Sequence, residues 1–364
     1  MPEKNNAHSK KARLVLEDNS VFEGVSFGHE ASVSGEVVFN TGMTGYVESL
    51  SDPSYKGQIL ACTYPLIGNY GVPAKKKDEF GLLETFESER INARGLVVSD
   101  YSYDYSHWNA VKSLADWLKE EKIPAITGID TRMLTKKLRE KGVMTGKIVI
   151  GENDVKIDER VSADVVNEVS VGKVISYGNF KKNIVLFDCG IKLNIIRCVL
   201  KRGYNAIVVP WNYNPLELKE DFAGAIISNG PGDPKDAKAT IENVGKLIEK
   251  EIPTFGICLG NQILALASDA DTYKLKYGHR GQNQPAMMLE TERCFITSQN
   301  HGYAVNPKTL GKDWKEWFVN VNDGTNEGII HRTKPFMSVQ FHPEACPGPR
   351  DTEFLFDEFI KVLK

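Results

Sequence analysis

Read for its apolar positions, the chain changes rhythm near its middle. In the first half, residues 12–16 and 21–27 are short apolar runs flanking Asp18-Asn19-Ser20, a pattern that predicts a hairpin. Residues 36–39 and 58–63 predict further strands, separated by clusters of Gly, Pro, Asp and Ser. Helical spacing follows over 107–121, with Val111, Leu114, Ala115 and Leu118 on one face, and again over 131–141. Residues 151–182 are polar and aperiodic and read as an interdomain connection. Continuous apolar runs then occur at 183–187, 206–209, 225–227 and 254–257, with helical segments at 193–202 and 241–250 between them. That alternation predicts an α/β fold, a mostly parallel sheet with helices on both faces. The expected organisation is a strand-rich mixed α/β N-terminal domain over 1–150, the connection over 151–182, and a second α/β domain over 183–364.

Composition adds mainly exclusions. Of 364 residues, 41% are hydrophobic and 26% charged, and the formal net charge of −3 offers no basic surface for nucleic acid. The basic run Lys75–Lys77 reads as a solvated loop. No apolar stretch approaches the roughly 18 residues that span a bilayer. Residues 1–13 are polar and basic without an apolar core, so a secretory signal is not expected and a cytoplasmic location is. Six cysteines fall at 62, 189, 198, 258, 294 and 346 with no CxxC pair or Cys/His metal spacing. In a reducing compartment they are expected as free thiols, and neither a metal nor disulfides are expected.

One of the six stands apart. An apolar run ends in Gly256, Cys258 sits at the turn, Gly260 follows, and a helical pattern begins. That is a nucleophile elbow with a thiol in place of a hydroxyl. Small residues at 256 and 260 permit a tight turn that pushes the sulfur out at the top of a sheet, over a helix N-terminus. The backbone N–H of Leu259 is then placed to receive a developing oxyanion.

A cysteine nucleophile needs an imidazole partner, and the imidazole needs orienting. Eighty-four residues on, the chain reads Gln340-Phe341-His342-Pro343-Glu344. On a strand end, positions 342 and 344 would project from one face, and Glu344 would fix the tautomer of His342. The loop Asn229-Gly230-Pro231-Gly232-Asp233-Pro234 lacks the Gly-Lys-Ser/Thr of a phosphate loop. The preferred reading gives the Gly232 N–H to the oxyanion, with Gly230 admitting substrate.

Taken together, Gly-Ile-Cys-Leu-Gly-Asn-Gln, Ser-Asn-Gly-Pro-Gly-Asp-Pro and Gln-Phe-His-Pro-Glu-Ala resemble the class I, triad-type glutamine amidotransferases. The first half, with Gly-Glu-Val-Val-Phe-Asn-Thr-Gly-Met-Thr-Gly-Tyr from Gly35, Ser-Asp-Pro-Ser-Tyr from Ser51 and Gly-Ile-Asp-Thr-Arg from Gly128, resembles the small-subunit N-terminal domain of carbamoyl phosphate synthetase. The Asn69–Pro73 and Ser106–Trp108 stretches look more like eukaryotic members.

The resemblance implies a flavodoxin-like C-terminal domain that hydrolyses glutamine through a thioester. The ammonia would pass to a large ATP-grasp partner subunit or fused domain, serving arginine or pyrimidine synthesis. It implies Cys258 as nucleophile, His342 as base and acid, Glu344 as its orienter, and Gly232 and Leu259 as oxyanion donors. Ser54, Gly230, Gln262, Asn300, Gly302 and Tyr303 would hold glutamine, with Lys192 beside the site. ATP and magnesium are expected on the partner, with no cofactor in this chain. Members commonly carry His where Asn261 stands, and ammonia-dependent members lack the cysteine. His279 and His301 read as structural or partner-facing. A catalytically silent scaffold and a γ-glutamyl cysteine hydrolase of the same fold are the rival readings.

Overall fold

The structure is a computed structural model that describes residues 10–158 and 164–363. The start of the polar, basic N-terminus (1–9), residues 159–163 of the expected connection, and Lys364 lie outside the described residues.

The first half closes into a barrel. Its strands run, in order around the barrel, Lys11–Leu16, Val21–Ser26, Ala125–Thr127, Gly95–Val98, Gln58–Cys62, Val33–Asn40 and Met144–Ile150. The expected hairpin is present, Lys11–Leu16 against Val21–Ser26, with Asn19 in the left-handed region (φ 64°) where a short polar side chain is tolerated. Alternation sends Ile59 and Ala61 into one core and Leu60 and Cys62 into another, so these strands are buried on both faces. Each fully buried Ile, Leu or Val contributes about 1.5–3 kcal/mol.

The helix expected over 107–121 is shorter. Ala110–Lys112 pairs as a strand with Val72–Pro73, and the helix starts at Leu114 because Ser113 accepts a hydrogen bond from the Asp116 N–H (3.0 Å). The second helix occupies Thr131–Lys141, capped by Asp130.

The second half is built on a ten-stranded sheet. Lys182–Asp188, Tyr204–Pro210, Gly224–Ile227, Thr254–Ile257 and Phe336–Val339 are parallel, as the alternating pattern predicts. An antiparallel wing continues from Phe336–Val339 and ends in the long hairpin Asp271–Met288 with Arg293–Asn306. Its own apolar spacing is too diluted by polar residues to be read as a strand pair.

The expected connection over 151–182 is partly built into this domain. Ile175–Tyr177 pairs antiparallel with Tyr204–Pro210 as the sheet's edge strand, and Val165–Val169 forms a short helix with Val165 and Val166 buried. Three- to five-residue elements carry too little periodicity to stand out in a polar segment. The long hairpin reaches back to the barrel: Lys274 pairs with Glu36 (3.1 Å), and Gln282 Nε2 donates to the Thr44 carbonyl (2.6 Å). Among the described residues no helix is long and apolar enough to cross a membrane.

Candidate active site

Cys258 lies between the strand Thr254–Ile257 and the helix Leu259–Leu266, with φ 56° and ψ −103°, a conformation costly for any side-chain-bearing residue. The glycines make it possible by close approach. A Cβ on Gly256 would sit 2.4 Å from the Gly260 carbonyl oxygen, and one on Gly260 would sit 2.1 Å from that of Ile227. The Cys258 N–H donates to the Val339 carbonyl (2.9 Å), fixing the elbow to the neighbouring strand. As the first residue of its helix, Leu259 has an N–H with no acceptor inside the helix.

His342 and Glu344 are not on a strand end. The strand stops at Val339, and a tight turn, with the Ala345 N–H donating to the His342 carbonyl (3.1 Å), brings the two side chains together instead. Imidazole Nδ1 lies 2.7 Å from Glu344 Oε1, and Nε2 lies 2.8 Å from Asn300 Oδ1. The Asn300 amide is oriented from its other end, where Nδ2 donates to Asp52 Oδ2 (2.6 Å), so its oxygen must face the ring. Both ring nitrogens therefore meet acceptors, the arrangement an imidazolium requires.

Electrostatics agree with that geometry. Burial is the largest influence and disfavours the charged ring, as does Lys192, but the Glu344 carboxylate and the Cys258 sulfur together outweigh them, so His342 titrates well above the ordinary imidazole range. Glu344 is likewise buried, yet Lys192 and His342 hold it well below the usual carboxylate range. The Lys192 ammonium, itself buried, donates to Glu344 Oε1 (2.9 Å) and to the Ala345 carbonyl. Nearby Glu87 is pushed up to about 7 by burial, against the pull of Lys192.

A cleft of about 240 Å³ opens at the elbow. For scale, a cavity of roughly 150 Å³ accepts a benzene-sized molecule. Ser54, Gly230, Gly232, Cys258, Leu259, Gln262, Asn300, Gly302 and Tyr303 all line it, and His342 and Glu344 stand behind Asn300. Ser54 enters from the barrel domain, accepting from Asn229 Nδ2 (2.9 Å), so both domains build the cleft. Asn261 is buried away from the cleft: its Nδ2 donates to Gln340 Oε1 (3.1 Å) and its Oδ1 accepts from Ser338 (2.7 Å). His301 lines the cleft wall, whereas His279 lies behind it against Glu327 and Asp323.

Two contributors escaped the sequence reading. Asp52 accepts from Asn300 and from the Ser54 N–H (2.9 Å), setting two cleft residues at once. Its position inside Ser-Asp-Pro-Ser-Tyr was the available signal. The helix Val165–Val169 packs Val165 against Gly232, buttressing the loop at 229–234 from within the segment expected as a connection; nothing local marks that contact.

Residues 185–362 match the family model for glutamine amidotransferase class-I, the class of domain that the elbow and its sheet define. Residues 14–148 match the model for the carbamoyl-phosphate synthase small chain, CPSase domain. The chain belongs to the carbamoyl-phosphate synthase small-chain family. It is 52% identical to the carbamoyl phosphate synthase arginine-specific small chain of Saccharomyces cerevisiae, over 97% of this chain and 89% of that one. It is 54% identical to the multifunctional protein CAD of Squalus acanthias and 51% identical to the mitochondrial carbamoyl-phosphate synthase [ammonia] of Aquarana catesbeiana. Those matches cover 97% and 98% of this chain but 16% and 24% of the longer relatives.

Proposed function

We propose that this chain hydrolyses glutamine to glutamate and ammonia and delivers the ammonia to a large synthetase subunit, or fused domain, that makes carbamoyl phosphate. The observation that carries the reading is a strained, buried cysteine opening onto a two-domain cleft beside a charged His342–Glu344 pair.

The Cys258 thiolate attacks the side-chain amide carbon of glutamine, and the oxyanion is received by the N–H groups of Gly232 and Leu259. The His342 imidazolium gives its proton to the departing nitrogen, which leaves as ammonia and leaves a γ-glutamyl thioester on the sulfur. Neutral His342 then takes a proton from water, which adds to the thioester carbon; glutamate departs and the ion pair is restored. Glu344, held by Lys192, keeps the ring oriented through both halves. Ser54, Gly230, Gln262, Asn300, Gly302 and Tyr303 are assigned to holding the substrate. The chain needs no cofactor of its own in this scheme; ATP and magnesium belong to the partner. The product serves arginine or pyrimidine synthesis. The free thiols at 62, 189, 198, 258, 294 and 346 fit a reducing compartment, and we assign the chain to the cytosol.

Glutamate release from glutamine, by the chain alone and with its large subunit, ATP and bicarbonate, tests the reading. Cys258→Ala is expected to lower the rate by at least about a thousandfold. Release within tenfold of the wild type would sink the thioester route.

A further inference from the structure

The helix Leu193–Leu200 begins without a cap of its own. Lys192 stands where a helix start ordinarily carries Ser, Thr, Asp or Asn to accept from the free N–H groups of the first turn. An ammonium has only donors, so it leaves those N–H groups unmet. Its hydrogens go instead to Glu344 Oε1 (2.9 Å) and to the Ala345 carbonyl. Two residues on, Asn194 Nδ2 donates to the backbone carbonyl of Glu344. The helix start thus grips Glu344 twice, by its carboxylate and by its main chain, and the gripped Oε1 is the oxygen that faces His342 Nδ1.

The missing acceptors come from the other domain. Glu87, 2% exposed on the segment that precedes the barrel strand Gly95–Val98, offers its main-chain carbonyl to the Leu193 N–H and its Oε2 to the Asn194 N–H, each at 3.1 Å. A carboxyl group suits this place because the N-terminal end of a helix carries partial positive charge. Glu87 is itself fixed: its N–H donates to Ser51 Oγ (3.0 Å), and the Ser51 carbonyl accepts from Asn92 Nδ2 (3.0 Å). The same barrel-domain segment lies along the helix. Asp78 pairs with Arg197 (2.7 Å), Arg197 Nη1 donates to Asn194 Oδ1 (2.8 Å), and Leu82 is buried in the second domain's core.

Glu87 does not line the cleft, and its hydrogen-bonded route to the imidazole runs through Asn194 to Glu344. Holding the two domains together does not require it, since the Arg197–Asp78 pair and Leu82 already join them along the same helix. What Glu87 adds is placement, because the two N–H groups it takes directly follow Lys192. Drift of that helix start would carry the Lys192 and Asn194 grips away from Glu344 together. A misplacement of about 1 Å in a catalytic arrangement can cost on the order of a hundredfold in rate.

We propose that Glu87 is a positioning residue for glutamine hydrolysis: from the barrel domain it supplies the cap that the helix Leu193–Leu200 lacks, and so holds Lys192 and Asn194 where they set Glu344 against His342. The inference rests on the proposed function. The reach of the side chain carries the role and its charge does not, since a carboxyl or an amide oxygen accepts equally from an N–H. The grip acts on the imidazole's carboxylate and not on the cleft walls, so turnover registers its loss and KM does not.

The test is steady-state glutamate release, by the chain alone and with its large subunit, ATP and bicarbonate, in variants whose folding is followed by melting temperature. Glu87→Gln keeps the reach and should retain kcat within about threefold. Glu87→Asp keeps the acid and shortens the reach; its kcat should fall at least about tenfold, with KM for glutamine within about threefold. Glu87→Ala should fall at least as far, and if it does not fold, Glu87→Asp carries the comparison. Combined with Asn194→Ala, Glu87→Asp should cost at least about threefold less than the product of the two single losses, because both act on one grip. Unchanged turnover in Glu87→Asp, with only the melting temperature lowered, makes Glu87 a fastener between the domains and overturns the proposal. So does a change in KM alone, a Glu87→Gln variant as slow as Glu87→Asp, or losses that multiply in the double variant. No release from the wild type in either condition removes the glutaminase reading and the inference with it, whereas release by the wild type alongside unaffected variants removes only the inference.

Discussion

The second domain buries two histidine–carboxylate clusters that look alike in chemistry and differ in what surrounds them. His342 meets Glu344 at 2.7 Å and His279 meets Glu327 at 3.3 Å; both imidazoles titrate above their ordinary range, though burial opposes the charged ring, because carboxylates face them. His301 stacks edge-on to His279 and, being buried beside it, is driven well below the usual range. His279, His301 and Glu327 are even close enough together to suggest metal ligands. Yet the His279 ring spends both nitrogens on structural partners, Glu327 on one side and Asp323 (2.8 Å) on the other. His342 instead lies beside a strained thiol and is joined through Asn300 to an open cleft. Burial and a shifted charge are shared by both clusters; the strained thiol and the access make the difference.

Paired substitutions would break or sharpen this contrast. The largest effect is expected for His342→Asn, which should lower the turnover of glutamine at least about a thousandfold. His279→Asn should keep turnover within tenfold while lowering the melting temperature. Equal losses of turnover would erase the distinction.

Next in size is stability. Glu344→Gln leaves the buried Lys192 ammonium without its carboxylate, a change of the kind that costs about 3–5 kcal/mol. Glu327→Gln should cost about 1–2 kcal/mol, because His279 keeps the half-exposed Asp323. Denaturant unfolding of the two variants reads the difference directly, and the reverse order would show that the second cluster carries more of the fold.

The smallest effect is a slope. Burial raises Glu87 to about 7, above the ordinary carboxylate range, so the folded chain keeps a proton there that the unfolded chain has released. The contribution of Glu87 to stability should therefore fall as pH rises from 5 to 6.5, while His301, held below the usual imidazole range, works in the opposite direction there, so the comparison is between the chain with and without Glu87. Glu87→Gln should flatten this decline by about 1–2 kcal/mol. An unaltered slope in unfolding measurements across that range would mean that Glu87 is ionised throughout.

Much of this architecture was legible in the chain itself. The elbow could be read because its requirements are local: two glycines two residues either side of Cys258, then a helix start. The hairpin over Asn19 and the capped helix Thr131–Lys141 were visible for the same reason, as was the alternating order of the parallel strands. Tertiary structure alone decided the rest. His342 and Glu344 meet in a turn rather than on a strand; Asp52 reaches Asn300 across 248 positions; Glu87 receives the Asn194 N–H across 107; and Val165 closes on Gly232 from a segment without periodicity. Periodicity and turn chemistry report interactions within a few residues, whereas a buried ion-pair cluster depends on which distant surfaces the packed cores bring into contact.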